Sequence, residues 1–195
     1  KVLEYCKKDA ELALRILERV ARLDKAMDLA VVSKLPVDDT LNSRTSTMID
    51  SILIRAADRD HVGVPMTRRE AGGKPIEGGY VHSLEPGLYE WVIALDFSSM
   101  YPSIIIEKNI CFTTLSDAGT IESPIGVRFL SPEQRRGLLP RILADLMRQR
   151  REIKAKMNAE TDLPMREYYD RLQFAVKILM NAFYGVLASS FYRFT

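Results

Sequence analysis

Cysteine, histidine and tryptophan are scarce in this sequence. Its 195 residues include two cysteines, Cys6 and Cys111, two histidines and one tryptophan. The cysteines lie far apart and form no Cys-x-x-Cys pair, so the sequence supports neither a disulfide framework nor a zinc site of ordinary spacing. We therefore expect both thiols to be free, as in a reducing compartment.

Long apolar runs and a large excess of one charge are also missing. Runs such as Trp91 to Leu95 are much shorter than the ~20 residues that a membrane helix needs, so we expect no membrane partner. The net charge of +2 neither requires nor forbids a nucleic-acid partner. With 47% hydrophobic and 28% charged residues, the composition is that of a globular protein and excludes collagen-like and wholly disordered chains.

Apolar periodicity predicts helices in the first third of the chain. Over residues 2–32 apolar side chains recur at three- and four-residue steps, which is typical of one amphipathic helix or two abutting ones. Pro36 closes that segment, and two aspartates offer an N-cap for a further helix over 38–58. Five glycines and three prolines over 61–86 then indicate a connector.

The rest of the chain predicts a little sheet and a long helical hairpin. Trp91 to Leu95 are apolar strand formers and predict a buried strand, and residues 113–115 and 126–130 predict a strand pair. A long helix is predicted over 131–159, because serine followed by proline is a strong start signal. A second helix over 165–188 follows after a short turn. The fold class is therefore α+β and predominantly helical.

The two hairpin helices combine apolar stripes with unusually placed polar residues. On the second helix three residues share the face opposite the apolar stripe: Lys177, Asn181 and Tyr184. On the first helix Arg150 lies within the apolar stripe and Lys154 at its edge, so Arg150 needs a partner. Residues 141–157 hold six basic and two acidic side chains. These cations form either a solvated face, with Arg150 snorkelling or paired to an acid on the facing helix, or a site for a polyanion such as a triphosphate.

A carboxylate stands where the predicted strand ends. Asp96 is followed by Ser98, Ser99 and a helix start near Tyr101. Such a carboxylate can ligate Mg²⁺ beside backbone N–H groups that favour phosphate. The alternative is an aspartate that only caps the following helix.

Two stretches resemble signature motifs of one enzyme family. Asp96 to Ile104, Asp-Phe-Ser-Ser-Met-Tyr-Pro-Ser-Ile, resembles motif A of the family B DNA polymerases. Lys177 to Gly185, Lys-Ile-Leu-Met-Asn-Ala-Phe-Tyr-Gly, resembles their motif B. Two motifs in the right order, with the predicted hairpin between them, are far more specific than a lone short pattern. The chain is thus identified as the central part of a family B polymerase. Its amino-acid sequence is closer to those of prokaryotic and archaeal members than to those of eukaryotic ones.

Further matches extend the resemblance over nearly the whole chain. Tyr5 to Asp9 resembles the third exonuclease motif, and Glu77 to Val81 resembles the glycine motif that joins exonuclease and palm. The implied domains are the end of a 3′–5′ exonuclease domain (1–35), a helix and connector (36–88), a palm segment (89–130), a fingers hairpin (131–190) and the start of the return to the palm (191–195).

The resemblance also implies a role for each motif residue. Asp96 would be catalytic and would ligate Mg²⁺ together with the Phe97 carbonyl, and Tyr101 would lie beneath the sugar as a steric gate. The implied nucleotide-binding residues are Ser99, Met100, Tyr101, Arg150, Lys154, Lys177, Asn181, Tyr184 and Gly185. Two further pairs complete the set: Gly78 and Gly79 for DNA contact, and Tyr5 and Asp9 as an exonuclease remnant.

The function implied is that of a DNA-directed DNA polymerase, which transfers a dNTP to a primer 3′-hydroxyl by two-metal catalysis with Mg²⁺. The family's motif C, Tyr-Gly-Asp-Thr-Asp, and its first two exonuclease motifs do not occur in the sequence. We therefore expect the chain alone neither to polymerise nor to proofread. A non-catalytic module that binds DNA or nucleotide, or one half of a split polymerase, remains the alternative.

The implied partners follow from that function. They are primer-template DNA, dNTP, the rest of the polymerase chain or a subunit that carries motif C, and a sliding clamp. The implied location is cytoplasmic and associated with the nucleoid.

Overall fold

The structure of the chain is a computed structural model that describes residues 2–20, 22–66, 81–189 and 192–193. Within that part of the chain it holds seven helices and one two-stranded sheet, which confirms the predominantly helical α+β class. The elements are α1 (Val2–Arg19), α2 (Arg22–Ser33), α3 (Val37–Asn42), α4 (Thr45–Arg59), α5 (Met100–Glu107), β1 (Ile121–Glu122), β2 (Arg128–Phe129), α6 (Leu138–Ala159) and α7 (Leu163–Leu187). None of the helices in the described ranges is long and apolar enough to cross a membrane.

The described residues divide into two compact units. The first combines Lys1–Gly63 with Ile142–Phe183, and the second combines Val64–Arg141 with Tyr184–Thr195. Each long helix of the hairpin therefore has its larger part in the first unit and its base in the second.

The first unit is an all-helical assembly in which α2 contacts α1, α3 and α4. Its core takes one apolar face from each of α2, α4, α6 and α7, and the most deeply buried side chains include Ile49, Leu53, Leu143, Val176, Leu179 and Phe183. By contrast α1 has a strong amphipathic pattern but no buried residue. Of the two predicted possibilities for residues 2–32, one amphipathic helix or two abutting ones, the second is confirmed.

The hairpin helices begin where their first backbone N–H groups find acceptors. Asp162 caps α7, because its Oδ2 accepts a hydrogen bond of 3.2 Å from the Met165 N–H. The second helix was thus predicted to within two residues. The predicted start of the first helix at Ser131 is wrong, since α6 begins at Leu138. Pro140 gives the reason: its ring would clash with the carbonyl four residues earlier, so it fits only in the first turn of a helix.

The second unit contains α5, the sheet and the bases of α6 and α7. Its strands are antiparallel, with Ile121 opposite Phe129 and Glu122 opposite Arg128. Leu115 also forms a single bridge to Phe129. The prediction that residues 113–115 pair with 126–130 is therefore wrong beyond that single bridge, because the main strand partner of β2 is β1.

The predicted buried strand at Trp91 to Leu95 does not form. These residues have no regular secondary structure, and the side chains of Trp91 and Leu95 are 96% and 92% exposed. A strand needs a neighbour to receive its backbone hydrogen bonds. Among the described residues no strand runs beside this segment, so apolar composition alone does not order it.

Candidate functional site

The segment Asp96 to Tyr101 leads directly into α5. Asp96 and Phe97 are exposed, and the backbone of Ser99 is left-handed with φ 52° and ψ 46°. Ser99 is the N-cap of α5, and its side chain makes no capping hydrogen bond. The first N–H groups of a helix have no intrahelical acceptor, so those of Met100 and Tyr101 make no hydrogen bond within α5. The predicted helix start after the carboxylate is therefore confirmed.

Two predicted site residues from distant parts of the sequence meet in the second unit. The rings of Tyr101 on α5 and Tyr184 on α7 are stacked, with centroids 4.2 Å apart and planes inclined by 9°. Each side chain is about two-fifths exposed. Such stacking restricts both rings and contributes about 0.5–1.5 kcal/mol.

Arg150 has a polar partner on the facing helix, as its position in the apolar stripe requires. Its Nε donates a hydrogen bond of 3.1 Å to Oε1 of Gln173. The Gln173 amide in turn donates to Oδ1 of Asp170 at 2.9 Å. The direct partner is thus an amide, which in turn is bonded to an acid of the facing helix.

Sequence reasoning missed Gln173, although a signal was present. Arg150 and Gln173 lie at nearly equal distances along the chain from the turn at 160–162. Residues so placed on the two arms of an antiparallel hairpin face each other. Counting outward from the turn would have identified the pair.

The polar face predicted on α7 is exposed. Lys177, Asn181, Tyr184 and Gly185 are all exposed, whereas Val176, Leu179 and Phe183 on the opposite face are buried. A Cβ added at Gly185 would meet no atom within 4 Å. Lys154 is likewise exposed on α6, one turn beyond Arg150. The cations are thus available to an external anion.

The residues tied to exonuclease and DNA contact are placed in part. Tyr5 and Asp9 lie one turn apart on exposed α1, which puts them on one helix face. Gly78 and Gly79 lie outside the described residues.

A metal ion would find few ligands in the described ranges. No group of three or more histidine, cysteine, aspartate or glutamate side chains there is arranged to hold one. Asp96 offers one carboxylate and the Phe97 carbonyl a second oxygen, and hard oxygen ligands suit Mg²⁺. These two residues could supply some of the ligands of a magnesium site, but not all of them.

Comparison with known proteins identifies the family to which these motifs belong. The model of the family described as DNA polymerase family B matches residues 35–194, which include both motif stretches. The chain belongs to DNA polymerase family B. Family B polymerases are nucleotidyltransferases that use Mg²⁺.

Individual members of the family are similar over almost all of the chain. The DNA polymerase delta catalytic subunit of Bos taurus is 38% identical over 193 residues, covering 93% of this chain and 17% of that protein. The Caenorhabditis elegans subunit of the same name is 36% identical over 194 residues, covering 95% of this chain and 18% of the relative. This family B chain therefore spans less than a fifth of the length of these relatives.

A solved structure gives the same result. The family B DNA polymerase from the hyperthermophilic archaeon Pyrobaculum calidifontis superposes with a TM-score of 0.75 at 29% identity. The match covers 93% of this chain and 24% of that one. Eukaryotic and archaeal family B members thus both resemble the chain.

Proposed function

We propose that this chain supplies the incoming-nucleotide part of a DNA-directed DNA polymerase. The supporting observation is the family match over 35–194, which contains both motifs with their polar residues intact. Exposure of Lys154, of Lys177 and of the Asp96 carboxylate supports the same function, because a substrate must reach them. The sequence-based domains, from exonuclease end through palm to fingers, remain our assignment of its segments.

The cations of the hairpin would bind the triphosphate. Among the described residues the hydrogen-bond partner of Arg150 is the neutral amide of Gln173, so its charge is available to an anion. Lys154 and Lys177 are exposed point charges, and Asn181 lies one turn from Lys177, where it can orient the same phosphates. Charged donors fixed on helices favour the charge that builds up on a transferring phosphoryl group.

The segment that begins α5 would also bind the nucleotide, at its phosphates and its sugar. The N–H groups of Ser99, Met100 and Tyr101 would donate to phosphate oxygens at a helix N-terminus. The stacked Tyr101 ring would lie beneath the sugar and exclude a 2′-hydroxyl, while Tyr184 and exposed Gly185 would line the nascent base pair.

Asp96 and the Phe97 carbonyl would hold part of the magnesium site. When bound, the metal would neutralise charge on the phosphates and activate the primer hydroxyl. Carboxylates beyond these residues are required for a two-metal site, so a polypeptide bearing motif C would be a partner. Primer-template DNA and a sliding clamp complete the proposed assembly, with a cytoplasmic, nucleoid-associated location.

A test of this function uses an extended chain, in which these 195 residues continue into a segment carrying Tyr-Gly-Asp-Thr-Asp. Lys177→Ala should raise the KM for dNTP by about ten- to a hundred-fold, since hydrogen bonds to charged groups contribute about 1.5–3 kcal/mol. Primer-template affinity should change less than about two-fold, because phosphate contacts of DNA are spread over many cations.

The matched control is Lys156→Ala, which removes an exposed lysine of α6 outside the proposed set. It should leave both constants at the wild-type values. Equal loss of dNTP use and DNA binding in Lys177→Ala would contradict the assigned role. DNA or nucleotide binding without any turnover would favour the non-catalytic alternative.

A further inference from the structure

The short segment after α5 makes an unusual set of contacts with the start of α6. Three consecutive backbone N–H groups, those of Gly137, Leu138 and Leu139, donate to side chains of this segment. The acceptors are Asn109 Oδ1 at 2.8 Å, Thr113 Oγ1 at 3.2 Å and Cys111 Sγ at 3.4 Å. The next residue, Pro140, has no N–H. The orphan donors of the first turn of α6 are therefore satisfied from outside the helix.

Asn109 is the centre of this arrangement. It is fully buried, and its amide nitrogen donates to the backbone carbonyls of Leu130 and Arg135, both at 2.8 Å. With the bond from Gly137, one side chain holds the approach to α6 at three points, the last of them directly before its first residue, Leu138. A buried amide with three hydrogen bonds has a single orientation, so this junction is rigid.

The backbone of Asn109 has a second task, which is to end α5. Its φ is 52°, in the left-handed region, and the N–H of Ile110 donates to the carbonyl of Ile105 at 3.0 Å. This is the Schellman termination of a helix, whose left-handed position favours glycine and next asparagine. Glycine would end α5 equally well but would supply no cap for α6. The choice of asparagine is explained by both tasks together.

Packing around Gly137 shows how closely the two helix ends approach. A Cβ there would lie 2.8 Å from Cβ of Cys111 and 3.2 Å from Oδ1 of Asn109. Cys111 itself is buried, and its sulfur also accepts from the Thr113 hydroxyl at 3.1 Å. Because the space is filled, the base of α6 cannot move without breaking the capping bonds.

We propose that Asn109, with Cys111 and Thr113, forms a positioning joint between the helix of motif A and the first helix of the fingers. This inference rests on the proposed function, since α5 carries Tyr101 and α6 carries Arg150 and Lys154. The joint fixes where α6 starts and how it is oriented at its base. Its residues act on the nucleotide only through those helices.

The decisive variant is Asn109→Gly in the extended chain. It retains the left-handed backbone that ends α5 and removes only the side chain that caps α6. The KM for dNTP should rise about ten-fold with primer-template affinity unchanged, because misplacing binding groups by about 1 Å costs up to about a hundred-fold. The matched control, Asn42→Gly, removes an exposed amide that bonds to Asp38 of its own helix and should leave the KM unchanged.

Conservative pairs separate positioning from a simple packing role. Thr113→Ser and Cys111→Ser keep an acceptor for the α6 amides. Thr113→Val removes the acceptor at similar volume, and Cys111→Ala removes it together with the sulfur atom. The serine variants should retain the wild-type KM, and the other two should raise it. If Asn109→Gly does not fold, these four variants decide the question.

Amide hydrogen exchange supplies a readout that needs no polymerase activity. Exchange at Leu138 should accelerate in Thr113→Val and exchange at Leu139 in Cys111→Ala, and both should stay slow in the serine variants. Exchange at Gly137, whose acceptor is Asn109, should accelerate in Asn109→Gly. If amide exchange in these variants equalled that of the wild type, the proposed capping contacts would be contradicted. Faster exchange with an unaltered KM for dNTP would contradict the positioning role. If the wild-type extended chain extends no primer, the proposed function fails, and dNTP affinity measured on the same variants tests the positioning role instead.

Discussion

At the scale of single residues, the stacked rings of Tyr101 and Tyr184 hold each other in place. Their centroids are 4.2 Å apart, so the proposed gate against a 2′-hydroxyl depends on both. Tyr184→Leu leaves the gate ring present but removes its stacking partner. Ribonucleotide incorporation by the extended chain should rise about two- to ten-fold, the equivalent of the 0.5–1.5 kcal/mol of such a pair.

Two further variants give a larger expected effect and a control without effect. Tyr101→Ala, which removes the gate ring, should raise ribonucleotide incorporation more than Tyr184→Leu does. Tyr168→Leu removes a tyrosine near the other end of α7 and should have no effect. Incorporation ratios measured with paired dNTP and rNTP would contradict the gate if Tyr184→Leu matched the wild type.

Gly185 offers a second residue-scale prediction, because fold and function should respond in opposite directions. A Cβ at this helical position meets no atom within 4 Å, so Gly185→Ala should fit. Alanine in place of a helical glycine should raise the free energy of unfolding by about 0.5–1 kcal/mol. Denaturant unfolding would show this gain.

The KM for dNTP should nevertheless rise in Gly185→Ala, because the added methyl group would occupy the space proposed for the nascent base pair. An unchanged KM would place Gly185 outside the nucleotide site. Ala188→Gly, one turn further along the chain, serves as a reverse substitution that should leave the KM unaltered.

At the scale of elements, a buried ion pair joins α2 to α7 within the first unit. Asp28 Oδ2 accepts from Arg171 Nε at 3.3 Å, and the Asp28 residue is 4% exposed. Burial raises the pKa of Asp28 above its ordinary value of 3.8, and the charge of Arg171 opposes that rise only in part. The folded state therefore binds a proton at Asp28 more readily than the unfolded state does.

The sign of the pH dependence follows from this difference. The stabilising contribution of protonated Asp28 is fully present below pH 3.8 and is lost as the pH rises through the folded-state pKa. Relative to Asp28→Asn, the wild type should thus lose free energy of unfolding as the pH rises from 3.8. Arg171→Gln should enlarge that loss. Urea unfolding over this range that gave a constant difference would contradict the prediction.

How far sequence predicts each element depends on what stabilises it. The helices of residues 2–33 and 163–187 were predictable because their periodicity and the Asp162 cap are local in sequence. The start of α6 was not, since its capping acceptors come from residues 109–113. The segment at Trp91 to Leu95 has strand composition, but a strand also depends on a neighbour that its own sequence does not reveal.

In the candidate site, too, local sequence predicts some features and tertiary contacts determine others. The exposed face of α7, with Lys177 and Asn181, followed from helical geometry alone. The stacking of Tyr101 on Tyr184 required tertiary structure, because it joins helices far apart in the sequence, whereas the Gln173 partner of Arg150 could have been found by counting outward from the turn. Periodicity places a residue on a face but does not say which side chain it meets.

At the scale of the whole molecule, the near-neutral net charge conceals an uneven distribution. The total is +2, yet residues 141–157 alone carry a basic excess of four. Electrostatic binding depends on local potential more than on net charge, so a chain of this composition can still bind a triphosphate. Carboxylates are less favourably distributed for catalysis, because the described residues bring no three potential metal ligands together.

The chain of 195 residues alone should be unable to catalyse primer extension. Purified alone, it should not extend a primer in Mg²⁺ and dNTP, since Asp96 offers one carboxylate where two metal ions need more. The extended chain should extend the primer, and Asp96→Asn should abolish that activity. Asp117→Asn, which neutralises an exposed aspartate of the same unit, should retain it. Extension by the unsupplemented 195 residues would mean that they hold the metals without motif C, and the ligand set proposed here would be wrong.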